Sequence, residues 1–285
     1  ERKTYTNRGE SLMDLLATIS SYFPSLSKSE QKVAQLILSN PDEVENLSIN
    51  DLALMANVGE STIVRFSRKI GLTGFQDLKI ALVKYQTSQK QNITDESNEA
   101  KDLVYRQFVD GLQDTKSFIE QEKLEQAAKM IHRAEHVYIL SVGTSAFIAM
   151  QLSNRLKRLG KFVEFVPDGH LQSIYVTMVK KTDIVIGISK SGNTKEVIQN
   201  IELASQSDAP VVTLSNFINS KISQMGDVSL VASSKEFLSD AGSFSAEVSQ
   251  LYLLDTLIKV LVDINPSSYH NIRSLTNKAL VKRIE

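Results

Sequence analysis

The segment 48–69, SINDLALMANVGESTIVRFSRK, predicts two helices joined by a tight turn. Ser48 and Asp51 form a pair typical of the capping box at a helix start, although the usual acid there is Glu. Asn57-Val58-Gly59 can supply the turn because Asn and Gly both tolerate a left-handed backbone. Outward from this segment, apolar residues recur at helical spacing from about residue 12 to residue 85, so we expect the whole region to be helical.

The second helix of the pair carries hydroxyl and basic side chains on its predicted outward face. Ser61 is the expected N-cap and Gly71 the expected end of this helix. The outward residues are Ser61, Thr62, Arg65, Arg68 and Lys69. Such a helix can enter the major groove of double-stranded DNA, where Arg pairs with guanine and the other polar groups mostly contact phosphates. The pattern therefore predicts a DNA-reading helix-turn-helix, and the alternative is a helical hairpin with a solvated basic face.

The bulk composition narrows the classes of protein that fit. A chain of 285 residues is long enough for two ordinary domains. A net charge of −1 and a pI of about 6.5 exclude a protein that coats nucleic acid, but not a specific reader with a local basic face. The sequence has no cysteine, which excludes disulfides and thiolate metal sites. Without a long apolar run or the apolar core of a signal peptide, we expect a cytoplasmic protein with no membrane partner.

No metal or cofactor is expected. The four histidines are scattered without metal-ligand spacing, and they are His132, His136, His170 and His270.

The second half of the sequence has a different pattern. Residues 86–99 are polar, which predicts a linker, and a helical lead-in follows over about residues 100–134. The expected strands are residues 137–142, 162–166, 184–188, 211–214 and 228–232. The expected helices include residues 146–159, 195–205 and 243–262. Buried strands that alternate with helices predict an α/β domain with a parallel sheet covered on both faces.

Two loops in this domain contain glycine and several hydroxyls where a strand leads into a helix. One is IGISKSGNTKEV at 186–197, and the other is LSVGTSA at 140–146. Amides at a helix N-terminus favour a phosphate group, and the hydroxyls can add hydrogen bonds. Loops at the carboxyl ends of parallel strands can converge where the strand order reverses. The pair predicts a phosphate site, and the alternative is that the hydroxyls only cap two helices.

Two known families share these motifs. LSKSEQKVA at 26–34 and GLTGFQDLK at 71–79 resemble the DNA-binding domain of RpiR-type regulators. This resemblance covers about residues 12–86, with the reading motif at about 47–66, and it implies a small helical bundle without a wing. ISKSGNTKEVI at 188–198 resembles the phosphosugar loop of the sugar isomerase (SIS) domain, over about residues 125–265. The second resemblance implies a five-stranded parallel sheet of flavodoxin-like type, usually in a dimer.

The SIS resemblance also implies ligand-binding residues. The hydroxyls expected to contact phosphate are Ser145, Ser189, Ser191 and Thr194, with Thr144 and Asn193 as auxiliaries. His170, within Asp168-Gly169-His170, either touches a sugar hydroxyl or is a surface or helix-capping residue. Glu247 departs from the resemblance, since many RpiR-type regulators carry Arg near this point. It either contacts the sugar across the cleft or lies on a helix surface.

The expected function is a regulator, with repression relieved by ligand as the favoured mode. A sugar phosphate, with amino-sugar and hexose 6-phosphates among the candidates, would change how a homodimer or homotetramer binds a palindromic operator. Residues 87–124 would form the linker and lead-in helix, and residues 266–285 a helical tail. The alternative is an aldose–ketose phosphate isomerase with a helical accessory domain, for which Glu247 and His170 are the credible acid–base pair.

Overall fold

The computed structural model describes residues 15–92, 99–233 and 243–281. These residues pack as two compact units. Residues 15–19 and 28–92 form the first unit, and residues 20–27, 99–233 and 243–281 form the second. No helix in these described ranges is both long and apolar enough to cross a bilayer.

The first unit consists of helices and short turns. Its helices are α1 (Leu15–Tyr22, of which residues 15–19 belong to this unit), α2 (Lys28–Ser39), α3 (Pro41–Asn46), α4 (Ile49–Met55), α5 (Glu60–Lys69) and α6 (Phe75–Asn92). Their apolar faces meet in a core in which Ile37, Leu52 and Phe66 are fully buried. Each such side chain stabilises the fold by about 1.5–3 kcal/mol relative to an exposed one. The predicted helical domain is therefore confirmed.

The turn between α4 and α5 follows the sequence prediction closely. Ser48 and Asp51 form a complete capping box at the start of α4. Asn57 has a φ of +49°, and Gly71, after the end of α5, has a φ of +96°. The predicted N-cap of α5 is wrong, because Gly59 occupies that position and its carbonyl accepts a hydrogen bond from the Thr62 amide at 2.8 Å. The helix therefore begins at Glu60, before Ser61.

The second unit is an α/β domain built on a five-stranded sheet. The strands are β1 (His136–Leu140), β2 (Phe162–Glu164), β3 (Ile184–Ile188), β4 (Val211–Ser215) and β5 (Val228–Val231). All neighbouring pairs are parallel, in the order β2-β1-β3-β4-β5. This is the strand order of flavodoxin-like folds, and the strand order reverses between β1 and β3. The predicted fold class is confirmed.

Helices cover both faces of the sheet. They are α7 (Ala100–Phe118), α8 (Gln121–Arg133), α9 (Ser145–Arg158), α10 (Gly169–Val176), α11 (Lys195–Ala204), α12 (Lys221–Met225), α13 (Ser245–Ile264) and α14 (Pro266–Val281). On one face, α8, α9 and α13 share a core with the sheet, and on the other α10, α11 and α12 do so. The all-apolar strand β3, Ile184–Ile188, is buried along its whole length because it lies between these two layers.

Several element boundaries differ from the prediction. Helix α6 extends to Asn92, into the predicted linker, whose residues 93–98 lie outside the described part of the chain. The single lead-in is two helices, α7 and α8, separated at residues 119–120. Helix α7 then packs closely on α13, where a Cβ on Gly111 would lie 2.8 Å from the Ser249 hydroxyl.

Candidate functional site

The structure exposes most, but not all, of the side chains that were predicted to lie on the outward face of α5. Ser61, Arg65 and Arg68 are exposed. Thr62 was predicted to be outward and this is wrong, since it is only 5% exposed. It precedes Phe66 by four residues, and this spacing places both side chains on the core face of the helix. The Thr62 hydroxyl instead accepts a hydrogen bond from Arg65 Nη2 at 3.2 Å.

Lys69 is exposed but is tied to the fold. Its Nζ lies 3.2 Å from Oε2 of Glu30, whose side chain is only 9% exposed. This ion pair joins α5 to α2. A buried carboxylate needs such a partner, because leaving it unpaired is costly. Lys69 therefore has a structural role, which accounts for its ammonium group independently of any contact with DNA.

The connection after α5 is also held by hydrogen bonds. Arg68 Nε donates to the Thr73 carbonyl at 3.4 Å. The Thr73 hydroxyl and amide both donate to Asp77, and these hydrogen bonds hold the pKa of that carboxyl below its usual value. Through Thr73, these hydrogen bonds keep Arg68 close to Asp77 in the first turn of α6.

In the second unit, the loop after β3 folds around the hydroxyl of Ser189. This residue is 1% exposed, and its Oγ lies 2.8 Å from the Thr194 hydroxyl and accepts the Gly192 amide at 3.0 Å. Gly192 has a φ of +63°, and a Cβ there would overlap the side chain of Ser220. The sequence motif thus produces a compact loop, which opens directly into α11.

The more exposed residues of this loop are Ser191 and Asn193. The Ser191 hydroxyl accepts the Asn193 amide at 3.2 Å and lies 3.5 Å from the Ser189 hydroxyl. Asn193 Oδ1 accepts the Lys221 amide at 3.3 Å, which links the loop to the start of α12. Both side chains border solvent, where they are available to a ligand.

The loop after β1 joins the loop after β3. Ser145 begins α9 and is 9% exposed, and its Oγ accepts the Lys190 amide at 3.0 Å. Thr144 is exposed beside it, and Gly143 has a φ of +63°. The structure thus brings the two predicted loops together at the carboxyl ends of β1 and β3, where ligands of open α/β sheets bind.

His170 and Glu247 differ in their surroundings. His170 is exposed in the first turn of α10, a helix that Asp168 caps by accepting the Leu171 amide at 2.8 Å. Glu247 lies in the first turn of α13 and its side chain is 17% exposed. Its Oε1 is 3.4 Å from Nζ of Lys190, so the structure brings Glu247 to the loop after β3.

Sequence reasoning missed three residues that build this cleft, namely Lys190, Asn216 and Gln250. The Asn216 amide donates to the Lys190 carbonyl at 3.1 Å. Asn216 Oδ1 accepts Gln250 Nε2 at 2.8 Å, and its own Nδ2 donates to the Ser233 carbonyl at 2.5 Å. The available signal was the pair Ser215-Asn216, because polar residues directly after a buried strand indicate a site at that end of the sheet.

A separate groove lies at the opposite, amino end of the strands. It encloses about 540 Å³ and is lined by residues before β1, β3 and β4, including Glu135, Asp183 and Pro210. Ligand atoms of Glu135, His136 and Asp183 lie within 4.8 Å of one another. The Asp183 carboxylate, however, already accepts the amides of His136 at 3.2 Å and Lys180 at 2.8 Å. Its visible role is to join the strand starts.

Comparisons with known proteins agree with both units. The family model of the helix-turn-helix domain of the rpiR family matches residues 13–89, and the SIS domain model matches residues 130–260. An HTH-type transcriptional regulator of Caldanaerobacter subterraneus subsp. tengcongensis is 31% identical over 255 residues, which cover 86% of this chain and 89% of that protein. One from Clostridium perfringens is 30% identical, over 81% of this chain and 86% of that protein.

Two solved structures are also similar. The Vibrio vulnificus NanR protein, complexed with ManNAc-6P, has a TM-score of 0.62 and 32% identity, and the match covers 94% of this chain and 98% of NanR. The sugar isomerase domain of an RpiR transcription factor from Sphaerobacter thermophilus has a TM-score of 0.58 at 20% identity, over 63% of this chain and 98% of that one, which shows the shared fold.

A helix-turn-helix domain followed by a SIS domain defines a class of transcriptional regulators. The chain belongs to the RpiR family of that class.

Proposed function

We propose that this regulator is a repressor of sugar catabolism genes whose affinity for DNA is controlled by a sugar phosphate bound to the SIS domain. The proposed DNA-binding domain spans residues 12–86 and the proposed SIS domain residues 125–265. Residues 87–124, the predicted linker and lead-in, hold the end of α6, all of α7 and the start of α8, and residues 266–285 are the proposed C-terminal tail, of which 282–285 lie outside the described part of the chain. The observation that carries the proposal is the junction of the two hydroxyl loops through Ser145 and Lys190.

The geometry of these loops supports the proposed phosphate contacts. Ser145 and Thr194 place hydroxyls at the starts of α9 and α11, and Ser189 and Ser191 lie in the loop that leads into α11. The positive ends of both helix dipoles favour an anion there. Thr144 and Asn193 are exposed at the rim and supply further hydrogen bonds, and His170 and Glu247 are the proposed contacts to the sugar. Because NanR was solved with ManNAc-6P, an amino-sugar 6-phosphate is the first effector to test.

The effector test is a thermal-unfolding screen of the full chain with ManNAc-6P, other hexose 6-phosphates and each unphosphorylated parent. A ligand that binds only the native state stabilises it by about 2.7 kcal/mol at a hundredfold excess over its Kd. We expect a stabilisation that requires the phosphate and is lost in Ser191→Ala. Equal shifts with phosphorylated and unphosphorylated sugars would contradict a phosphate site in these loops.

The proposed DNA contacts are the exposed residues Ser61, Arg65 and Arg68 of α5, with Lys69 contributing mainly through the position of the helix. Arg65 is the best candidate for a base contact because the Thr62 hydroxyl fixes its guanidinium. A DNA site is first selected from a random pool with the wild-type chain. We then expect Arg65→Glu to abolish binding to that site at fixed salt.

The matched control for this variant is Lys116→Glu, which makes the same charge change at an exposed position of α7. Binding by the control should stay close to that of the wild type. Equal losses in the two variants would show that net charge, and not α5, controls DNA affinity. A homodimer with two such helices predicts a selected site with two-fold symmetry.

We also propose that the chain is not an isomerase. Its relatives are named as transcriptional regulators, and the carboxylate of Glu247 is engaged by Lys190. Incubation of the purified chain with aldose and ketose phosphates should give no interconversion. Turnover that is lost in Glu247→Gln would contradict this part of the proposal.

A further inference from the structure

One oxygen of Glu247 has no hydrogen-bond partner among the residues that the structure describes. Oε1 lies 3.4 Å from Lys190 Nζ, whereas Oε2 is buried and makes no hydrogen bond to any residue that the structure describes. A buried carboxylate oxygen without a donor is costly, because it has lost hydration without replacement. A hydrogen-bond donor on a bound ligand would satisfy it.

The position of this carboxylate is fixed from both sides of the cleft. The backbone of Lys190 is held by the Ser145 hydroxyl at 3.0 Å and by the Asn216 amide at 3.1 Å. Gln250, one turn after Glu247 on α13, holds the same Asn216 through a 2.8 Å hydrogen bond. The loop after β3 and the first turns of α13 are thus joined through one buried asparagine, so Glu247 keeps its place beside the phosphate loop.

We propose that Glu247, together with Lys190, forms a charge-selective subsite that accepts a hydroxyl or amine of the sugar and rejects phosphorylated sugar acids. The inference rests on the proposed phosphosugar site and names the ligand class that this site admits. Among the described residues, the ammonium of Lys190 is the cation that stands beside the Glu247 carboxylate. A ligand carboxylate would bring a second negative charge to the subsite in addition to the phosphate, and like charges that meet in a partly desolvated site oppose binding.

The test uses two probes that differ only at C1, namely D-glucitol 6-phosphate, with a hydroxyl, and 6-phospho-D-gluconate, with a carboxylate. Inorganic phosphate serves as the reference for the phosphate loops alone. Affinities for the full chain are measured by calorimetry. We expect the wild type to bind glucitol 6-phosphate more tightly than phosphate, and at least tenfold more tightly than the sugar acid.

Glu247→Gln keeps the shape of the side chain and removes its charge, so we expect the preference to fall to less than threefold. The control is Glu122→Gln, which removes an exposed carboxylate from the groove at the opposite end of the sheet and should leave the preference unchanged. Similar affinities of the wild type for both organic probes would overturn the inference. So would a preference that persists in Glu247→Gln, or glucitol 6-phosphate binding no tighter than phosphate.

Different binding results distinguish a wrong charge-selective subsite from a wrong phosphate site. If phosphate binds and Ser191→Ala weakens it, while the C1 group has no effect, the phosphate site stands and the charge-selective subsite is wrong. If inorganic phosphate and both sugar phosphates all fail to bind, the proposed function fails together with the inference.

Discussion

Replacing Gly192 with alanine tests how the phosphate loop is built. This glycine has a φ of +63°, and its amide donates to the buried Ser189 hydroxyl. A Cβ at this position would overlap Ser220 and lie 3.3 Å from Cβ of Ser215. Gly143, in the loop after β1, provides a matched control, because it has the same φ of +63° but no atom within 4 Å of an added Cβ.

Comparing the two variants separates the free-energy cost of a left-handed backbone from the cost of overpacking. A left-handed backbone costs an alanine roughly 1–2 kcal/mol, and Gly143→Ala should lose about this much. Gly192→Ala carries the same cost and, in addition, about 1–3 kcal/mol for overpacking against Ser220 and Ser215. For a domain of this size, 1 kcal/mol corresponds to roughly 2–4 °C in the unfolding midpoint. Gly192→Ala should therefore unfold roughly 2–12 °C below Gly143→Ala, scaling the overpacking cost by the same conversion.

The assay is thermal unfolding of the full chain, followed by circular dichroism, with and without inorganic phosphate. We expect Gly192→Ala to lose the stabilisation by phosphate as well, because the displaced loop no longer holds the exposed Ser191 hydroxyl beside the buried Ser189 hydroxyl. Equal midpoints for the two variants would refute the steric argument. Full retention of phosphate binding in Gly192→Ala would refute the role given to this loop.

Three further predictions concern other parts of the chain. Thr62→Val keeps the buried volume but removes the hydroxyl that fixes Arg65, so its DNA affinity should fall, but by less than that of Arg65→Ala. A DNA titration in which Thr62→Val loses more affinity than Arg65→Ala would contradict this order. Gly111→Ala should destabilise the second unit by about 1–3 kcal/mol in denaturant unfolding, because its Cβ meets two serine hydroxyls of α13, and an unchanged midpoint would contradict that packing. Burial and two neighbouring cations lower the pKa of His132 from 6.5, so the unfolded state binds more protons just below that pH. The free energy of unfolding should therefore fall as pH drops from 6.5 towards the lowered pKa, and this dependence on pH should be weaker in His132→Asn. The same dependence on pH in the wild type and in His132→Asn would contradict this role of His132.

Much of the fold follows from local patterns in the sequence. Continuous apolar runs such as β3 and amphipathic stretches such as α9 predicted the α/β domain, since each pattern matches the period of its element. The predicted start of α5 was wrong because the Ser61 hydroxyl was taken as the cap, whereas Gly59 holds that position without a side-chain hydrogen bond. Thr62 was predicted to lie outward because it is polar, although its four-residue spacing from Phe66 places it on the core face of α5.

The candidate site also has a part that the sequence predicts and a part that it does not. The two hydroxyl loops could be paired from sequence because both follow neighbouring parallel strands, whose carboxyl ends meet at one edge. The Lys190–Glu247 contact joins residues 57 positions apart and depends on how α13 packs, which no local pattern encodes. The same holds for Asn216 and Gln250, whose hydrogen bond spans 34 positions.

The central claim is that a sugar phosphate in the SIS domain controls DNA binding. Its most direct test is a titration of the selected DNA site at fixed salt, with and without the sugar phosphate that most stabilises the protein in the unfolding screen. Because coupling between two sites is reciprocal, DNA must change the affinity for that sugar by the same factor. We predict that the sugar weakens DNA binding by the wild type at least fivefold and has no effect on Ser191→Ala. A sugar phosphate that binds the wild type yet leaves its DNA affinity unchanged would contradict the account.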